Sequence, residues 1–377
     1  MATFGTNSDM FARILNSTIA DYVKKQMENI IAKYVFLAML KEKGKITKCP
    51  GGDSKQWAVR YKRNSLHYLT DLPSISFQRV NKRVNAKLTP RGYWMSDQIS
   101  MWERWVNQGP AAIINIASTI VKELTDDFKE ALNVEPYKDG NATATNKGWS
   151  GLETLGSISG AVSGNAGVGL CNDTYAGLST AQGVKGTWDT TTWPNGRGSV
   201  GYHYWSPLVA LYNATTWDGS SSTWKANCLR VLAKTAMWQD MRGQKTDLAL
   251  LQGVAYDQAY QTVEGKEQIR TERSASNSLM IKLGFGKSFT YQGTEVTYER
   301  GIPPTDVNSA TLAGYGVNFE GVELTHWTPE LIWSPPVDFS VESLSQRYLV
   351  GTVSEMIINP QAITKYRYTS GADAALV

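Results

Sequence analysis

The sequence has few of the residues that most catalytic chemistry needs. Only three histidines occur, His67, His203 and His326, and no two are spaced like a metal-ligand pair. Three cysteines, Cys49, Cys171 and Cys228, stand far apart and are odd in number. That excludes a disulfide framework and a zinc spacing, and predicts free thiols in a reducing compartment. No apolar run reaches the roughly 18 residues of a membrane span; the longest, Tyr34 to Leu40, is too short. No secretion signal opens the chain, so the sequons at Asn16, Asn141, Asn172 and Asn213 are read as chance matches. Nucleotide and hydrolase motifs also fail residue by residue. Gly284 to Ser288 ends like a phosphate-binding loop, but Ile281 stands where that loop needs glycine. Gly164 to Gly169 lacks the dinucleotide spacing. Gly156 to Gly160 puts Ile158 where a nucleophilic serine would stand. The expectation is a protein with no catalytic residues, no cofactor and no metal.

Aromatic residues, by contrast, are plentiful. The 377 residues include thirteen tryptophans and eighteen tyrosines, which suits large contact surfaces as well as cores. Charge is concentrated. Residues 41–91 hold thirteen Lys or Arg against three acids, so the segment carries about +10 while the whole chain carries +4. A stretch so charged repels itself and has little apolar material for a core of its own. It still alternates like β-strands, in Gln56 to Tyr61 and Ser74 to Val80. A charged two-stranded arm is marginal alone in water. It needs a complementary surface, either nucleic acid or an acidic neighbour. No nucleic-acid module is evident, which favours contact between subunits.

Elsewhere the periodicity predicts a helix from about Asn16 or Ser17 to Gly44. A second, long helix is expected over 110–132, with Pro110 in its first turn and a stripe of Ile113, Ile116, Ile120, Leu124 and Phe128. From Asn141 to Ser222, Gly, Ser, Thr and Trp dominate, which predicts short strands and long loops. A helix over 223–241, a buried strand over 247–251, a helix over 254–264, a hairpin turning at Gln292-Gly293, and strands over 320–325 and 351–359 follow.

The order of these pieces resembles the major capsid proteins of tailed bacteriophages, the Hong Kong 97-type fold. Leu40 to Lys48, then Gly51-Gly52 and Trp57 to Tyr61, resembles the start of that family's extended loop. Asp97 to Trp102 and Asn107 to Gly109 resemble its return. The helix at 110–132 resembles the spine helix of the peripheral domain. Thr246 to Leu251 with Tyr256 to Tyr260 resembles a strand–helix step of the axial domain. Met356 to Pro360 looks like the closing strand.

The resemblance implies an α+β fold with an N-terminal arm and helix (1–45), an extended β-hairpin loop (46–92), a peripheral domain with the spine helix (93–140), an axial domain (141–325, with 160–222 a possible insertion) and a return to the peripheral domain (326–377). It implies a structural protein that self-assembles through pentamers and hexamers into an icosahedral virion shell around double-stranded DNA, built in the host bacterial cytoplasm. A portal and decoration proteins are implied partners, and scaffolding is expected to be absent or a separate protein. The arm residues expected at subunit contacts are Lys55, Arg60, Lys62, Arg63, Arg79, Lys82, Arg83, Lys87 and Arg91. Two alternatives stand beside it. One is an encapsulin-like compartment with the same fold. The other is a glycan-binding or hydrolytic module on the Trp-rich 149–224 region, for which Glu153, Asp173 and Asp189 are the available carboxylates.

Overall fold

Most of the elements form where the local sequence directs them. The computed structural model describes residues 34–60, 82–100, 102–103, 116–141, 148–162, 165–180, 205–218, 223–264, 288–328, 332–338 and 345–376. Helix α1 (Val35–Glu42) ends at Gly44, whose φ of 66° suits a residue without a Cβ. The start predicted near Asn16 lies outside the described residues. Strand β1 (Ile46–Lys48) leads through Gly51 and Gly52, both at positive φ, into β2 (Lys55–Arg60), then β3 (Arg83–Leu88) and β4 (Arg91–Ser100). The alternation predicted over 74–80 lies outside the described residues. Helix α2 (Ile116–Val134) is the described part of the long helix; Pro136 then sits in a 3-10 turn. The Gly- and Trp-rich region forms β5 (Ile158–Val162), β6 (Asn165–Cys171), the small hairpin β7 (Thr174–Tyr175) and β8 (Leu178–Ser179), and β9 (Leu208–Leu211). Helix α3 (Trp224–Met241), β10 (Leu248–Leu251), α4 (Gly253–Glu264), β11 (Ser288–Tyr291) and β12 (Thr294–Tyr298) follow the predicted order. The remaining strands are β13 (Leu312–Val317), β14 (Val322–His326), β15 (Ile332–Asp338), β16 (Ser345–Ile358) and β17 (Ile363–Arg367).

The chain divides into two units. The first comprises residues 1–33, 92–133 and 326–354. In its described part β16 pairs with β4 and, antiparallel, with β15. Ile120, Leu124 and Phe128 of α2 pack with Ile99, Tyr348 and Val350 in one cluster, joined by Tyr93, Met95 and Leu132. The stripe predicted for the long helix is therefore its core face at Ile120, Leu124 and Phe128. Ile113 lies outside the described residues, and Ile116 opens the described helix. Burying each such side chain contributes about 2 kcal/mol.

The second unit comprises residues 34–91, 134–325 and 355–377. Its centre is an eight-stranded sheet in the order β11-β12-β10-β13-β17-β9-β6-β5. Two pairings, β10 with β12 and β17 with β9, are parallel; the other registers are antiparallel. Trp217, Trp224, Val231, Leu232 and Trp238 pack with sheet residues Leu208, Leu211, Ala249 and Leu251, as do Ala255 and Ala259 of α4. Residues 326–354 belong to the first unit and 355–377 to the second, where β17 lies mid-sheet.

Candidate assembly interface

The root of the basic arm is an antiparallel ladder, β2 against β3, with Lys55 opposite Leu88, Trp57 opposite Ala86, Val59 opposite Val84 and Arg60 opposite Arg83. Alternation sorts these residues onto two faces. Trp57, Val59, Val84, Ala86 and Leu88 turn to the buried or half-buried side, while Gln56, Ala58, Arg60, Arg83, Asn85 and Lys87 are exposed. The exposed face thus carries three cations and no acid. Arg60 and Arg83 stand directly across from each other, where like charges oppose pairing.

Three attachments hold this root to the body of the second unit. On the β2 side, Lys55 Nζ donates to Glu323 Oε1 (2.7 Å) and Thr325 Oγ1 (3.0 Å), and the Thr47 hydroxyl also donates to Glu323. Burial pushes the Glu323 carboxyl up, but the Lys55 and Thr47 hydrogen bonds outweigh it and hold the group below its usual range. On the β3 side, Lys87 N–H donates to Ala176 O at 3.0 Å. Ala176 sits in the β7–β8 turn at φ 52°. Beneath the arm, the Trp57 ring lies 6.4 Å from that of Trp205, which in turn lies 6.0 Å from Tyr175. A cavity of about 670 Å³ opens beside this root, lined by Lys45, Thr47, Trp57, Arg60, Trp205 and Glu320 among others.

The expected contact residues thus fall into three groups. Lys55 is engaged within its own chain through Glu323, as is Arg91, whose Nε lies 3.4 Å from Glu355 Oε2. Each thus carries an ion pair within the subunit. Lys82 and the exposed Arg83 and Lys87 stand at or just before β3, with Arg60 opposite; Lys87 has only a long, exposed pairing to Asp53 at 3.9 Å. Lys62, Arg63 and Arg79 lie outside the described residues.

The first unit shows exposed apolar surface. On the sheet face away from α2, Leu349 and Ile332 are exposed, and Trp94 is 71% exposed; Trp102 nearby in sequence is 59% exposed. The register puts Ile332 opposite Gly351, two residues from Leu349, so Ile332 and Leu349 share that outer face. Isolated exposed apolar residues are ordinary, but a group on one sheet face marks contact surface. The outer side of α2 carries Glu123, Asp126, Asp127 and Glu130 against Lys122 and Lys129.

The carboxylates considered for glycan chemistry do other work. Glu153 is buried and paired with Lys365 Nζ at 2.8 Å, accepts from Tyr315 and from Val307 N–H, and so cannot meet a solvent-borne sugar. Lys365 also lies 3.4 Å from Asp306, which Arg367 pairs in turn. Burial pushes the Asp306 carboxyl up, but Lys365 and Arg367 outweigh it and hold the group below its usual range. Asp173 accepts from Thr174 and Ser157 N–H groups in a loop; Asp189 lies outside the described residues. Among the described residues no cluster of His, Cys, Asp and Glu could hold a metal, and no helix is long and apolar enough to cross a membrane. Glu323 and Glu355 carry no signal in the sequence, because each is a lone acid in a strand and only its distant partner distinguishes it.

No protein-family model and no curated protein sequence matches the chain. Solved structures do. The capsid asymmetric unit of cyanophage A-1(L) is 13% identical, with 93% of this chain and 97% of that chain covered, at a TM-score of 0.59. The capsid of a native GTA particle is 11% identical, covering 98% and 100%, at 0.52. The mature capsid of bacteriophage PhiM1 is 10% identical, covering 93% and 92%, at 0.52. The chain has the α+β fold of these capsid subunits over nearly its whole length.

Proposed function

We propose that this chain is the major capsid protein of a tailed double-stranded DNA bacteriophage. The observation that carries the reading is the shared fold along nearly all of this chain and of chains that build capsids. The rest of the chemistry supports it. Among the described residues the root of the basic arm has a cationic outer face with no acid on it, and helix α2 offers an excess of acids on a matching subunit. Exposed Trp94, Leu349 and Ile332 add apolar surface that assembly covers. Each subunit has several modest contacts, and closed symmetry multiplies them. The subunits form pentamers and hexamers in an icosahedral virion shell assembled in the bacterial cytoplasm, with a portal at one vertex, separate scaffolding or decoration proteins as partners, and DNA held without sequence preference. The contact residues are those of the arm, Lys55, Arg60, Lys62, Arg63, Arg79, Lys82, Arg83, Lys87 and Arg91, with the exposed cations Arg60, Arg83 and Lys87 of its root foremost.

The test is to express the chain alone and examine it by negative-stain electron microscopy and sedimentation. Closed shells or rings of five or six are expected, with assembly weakening as salt shortens the range of the exposed charge contacts. A chain that stays monomeric at its highest soluble concentration and low salt, both alone and co-expressed with a scaffolding protein, overturns the reading. In the variant with Arg79, Lys82, Arg83 and Lys87 all changed to Glu, circular dichroism should be unchanged while shells fail to close; normal shells would refute the role given to the arm.

A further inference from the structure

The helical layer of the second unit carries opposite charges on its two flanks. Helices α3 and α4 lie side by side on the eight-stranded sheet, α3 against β9 and α4 against β12. These strands are four apart in the sheet order, roughly 19 Å at about 4.8 Å per strand. The helices join along their inner flanks. There the Thr262 hydroxyl donates to Lys225 O at 3.4 Å, and the Trp224 indole N–H donates to Ala255 O at 2.8 Å. Their outer flanks therefore turn towards opposite edges of the sheet.

On α3 the outer flank is a stripe of Arg230, Lys234, Met237 and Met241, spaced i, i+4, i+7 and i+11. Arg230 and both methionines are exposed, and Lys234 is half-buried. The short helix Thr215–Asp218, which packs on β6, orients the two cations. Arg230 Nη1 donates to Trp217 O at 2.6 Å, and Lys234 Nζ lies 5.4 Å from the centre of the Trp217 ring. A carbonyl and an aromatic face hold these charges in place without neutralising them. On α4 the stripe is Asp257, Tyr260 and Glu264, spaced i, i+3 and i+7, and the helix contains no Lys or Arg. Both acids are exposed. The Tyr260 ring lies 6.2 Å from that of Phe289 on β11, the edge strand. Tyr256 and the exposed Tyr298, with ring centres 5.7 Å apart, extend this aromatic border.

Cations with methionines on one flank and acids with tyrosines on the other complement each other but face apart, so they cannot meet within one subunit. A second copy set alongside brings them together. Opposite charges fix the register of such a contact, and thioether sulfur packs favourably against aromatic rings. A contact between two different faces repeats head to tail and closes into a ring when the rotation allows it. We propose that the α3 flank of one subunit docks on the α4 flank of the next copy. The inference rests on the capsid reading and names faces that join neighbours within a pentamer or hexamer.

Charge reversal in the full chain tests it. Three variants are compared with the wild type by sedimentation and negative-stain electron microscopy at low salt: Arg230→Glu with Lys234→Glu, Asp257→Lys with Glu264→Lys, and all four together. Circular dichroism checks each fold; the Asp257 and Glu264 changes touch only exposed side chains. Each double variant sets like charge against like, so rings and shells should need about tenfold more protein to form. The fourfold variant exchanges the two signs and should assemble near the wild-type concentration. Either double variant assembling like the wild type, or a folded fourfold variant no better than the doubles, would overturn this contact and leave the capsid reading standing. A wild type that stays monomeric, alone and with a scaffolding protein, would overturn the capsid reading and this contact with it.

Discussion

Replacing Lys365 with Met leaves a carboxylate stranded in the interior of the second unit. Lys365 and Glu153 are 1% and 2% exposed, and Asp306 is wholly buried. The ammonium bridges Glu153 at 2.8 Å and Asp306 at 3.4 Å, and donates to Gly156 O at 3.2 Å. Without it, Asp306 keeps Arg367 as a counter-charge, but Glu153 keeps only the Tyr315 hydroxyl and Val307 N–H. Breaking a buried pair from one side costs about 3–5 kcal/mol, because the remaining charge has lost its solvent and its partner. Set against a total of about 5–15 kcal/mol, that is a large share. The double variant Lys365→Met with Glu153→Gln removes both charges and should recover most of the loss, since an uncharged pair of similar volume is close to neutral. Urea unfolding followed by near-ultraviolet circular dichroism of the buried tryptophans Trp149, Trp217 and Trp224 gives the midpoints. A Lys365→Met midpoint within about 1 kcal/mol of wild type would refute the reasoning, because it would mean that the buried network is not compensating charge.

Two further outcomes follow from close contacts in the same unit. Gly314 sits at φ 153°, and a Cβ there would lie 2.1 Å from Leu250 O; Gly314→Ala should force β13 from β10 and cost more than about 3 kcal/mol by thermal unfolding, where a loss under about 1 kcal/mol would contradict the register. Glu299 Oε2 accepts from Val35 N–H at 2.7 Å and Phe36 N–H at 3.1 Å, capping α1 from a distant strand end. Glu299→Ala should cost about 1–2 kcal/mol and speed hydrogen exchange of residues 35–42, and unchanged exchange there would show the cap to be idle.

Local pattern made the arm and helix α2 legible. The alternation through Trp57 and Val59 became one face of β2, and the spacing of Ile120, Leu124 and Phe128 became the core stripe of α2. The turn at Gln292-Gly293 formed as expected, because positive φ at both positions is a property of those two residues and their neighbours. The charge excess of residues 41–91 is likewise complete in the sequence.

Other features had no local signature. Leu312 to Val317, with glycines at 314 and 316, reads as a turn-prone stretch; it became a buried strand because neighbouring strands approach closely only where no Cβ intervenes. Lys55 and Arg91 carry the same charge as Arg83 and Lys87, so composition placed them all in one class. Folding separated them by bringing Glu323 and Glu355 across more than 260 residues of chain to the first two. Glu153 read as an available acid until Lys365, 212 residues away, met it in the core. Hydrophobic period, turn chemistry and net charge are short-range properties that a sequence carries by itself. Which acid meets which base, and whether water reaches the pair, depends on strands brought together from opposite ends of the chain, and only the tertiary structure decides that.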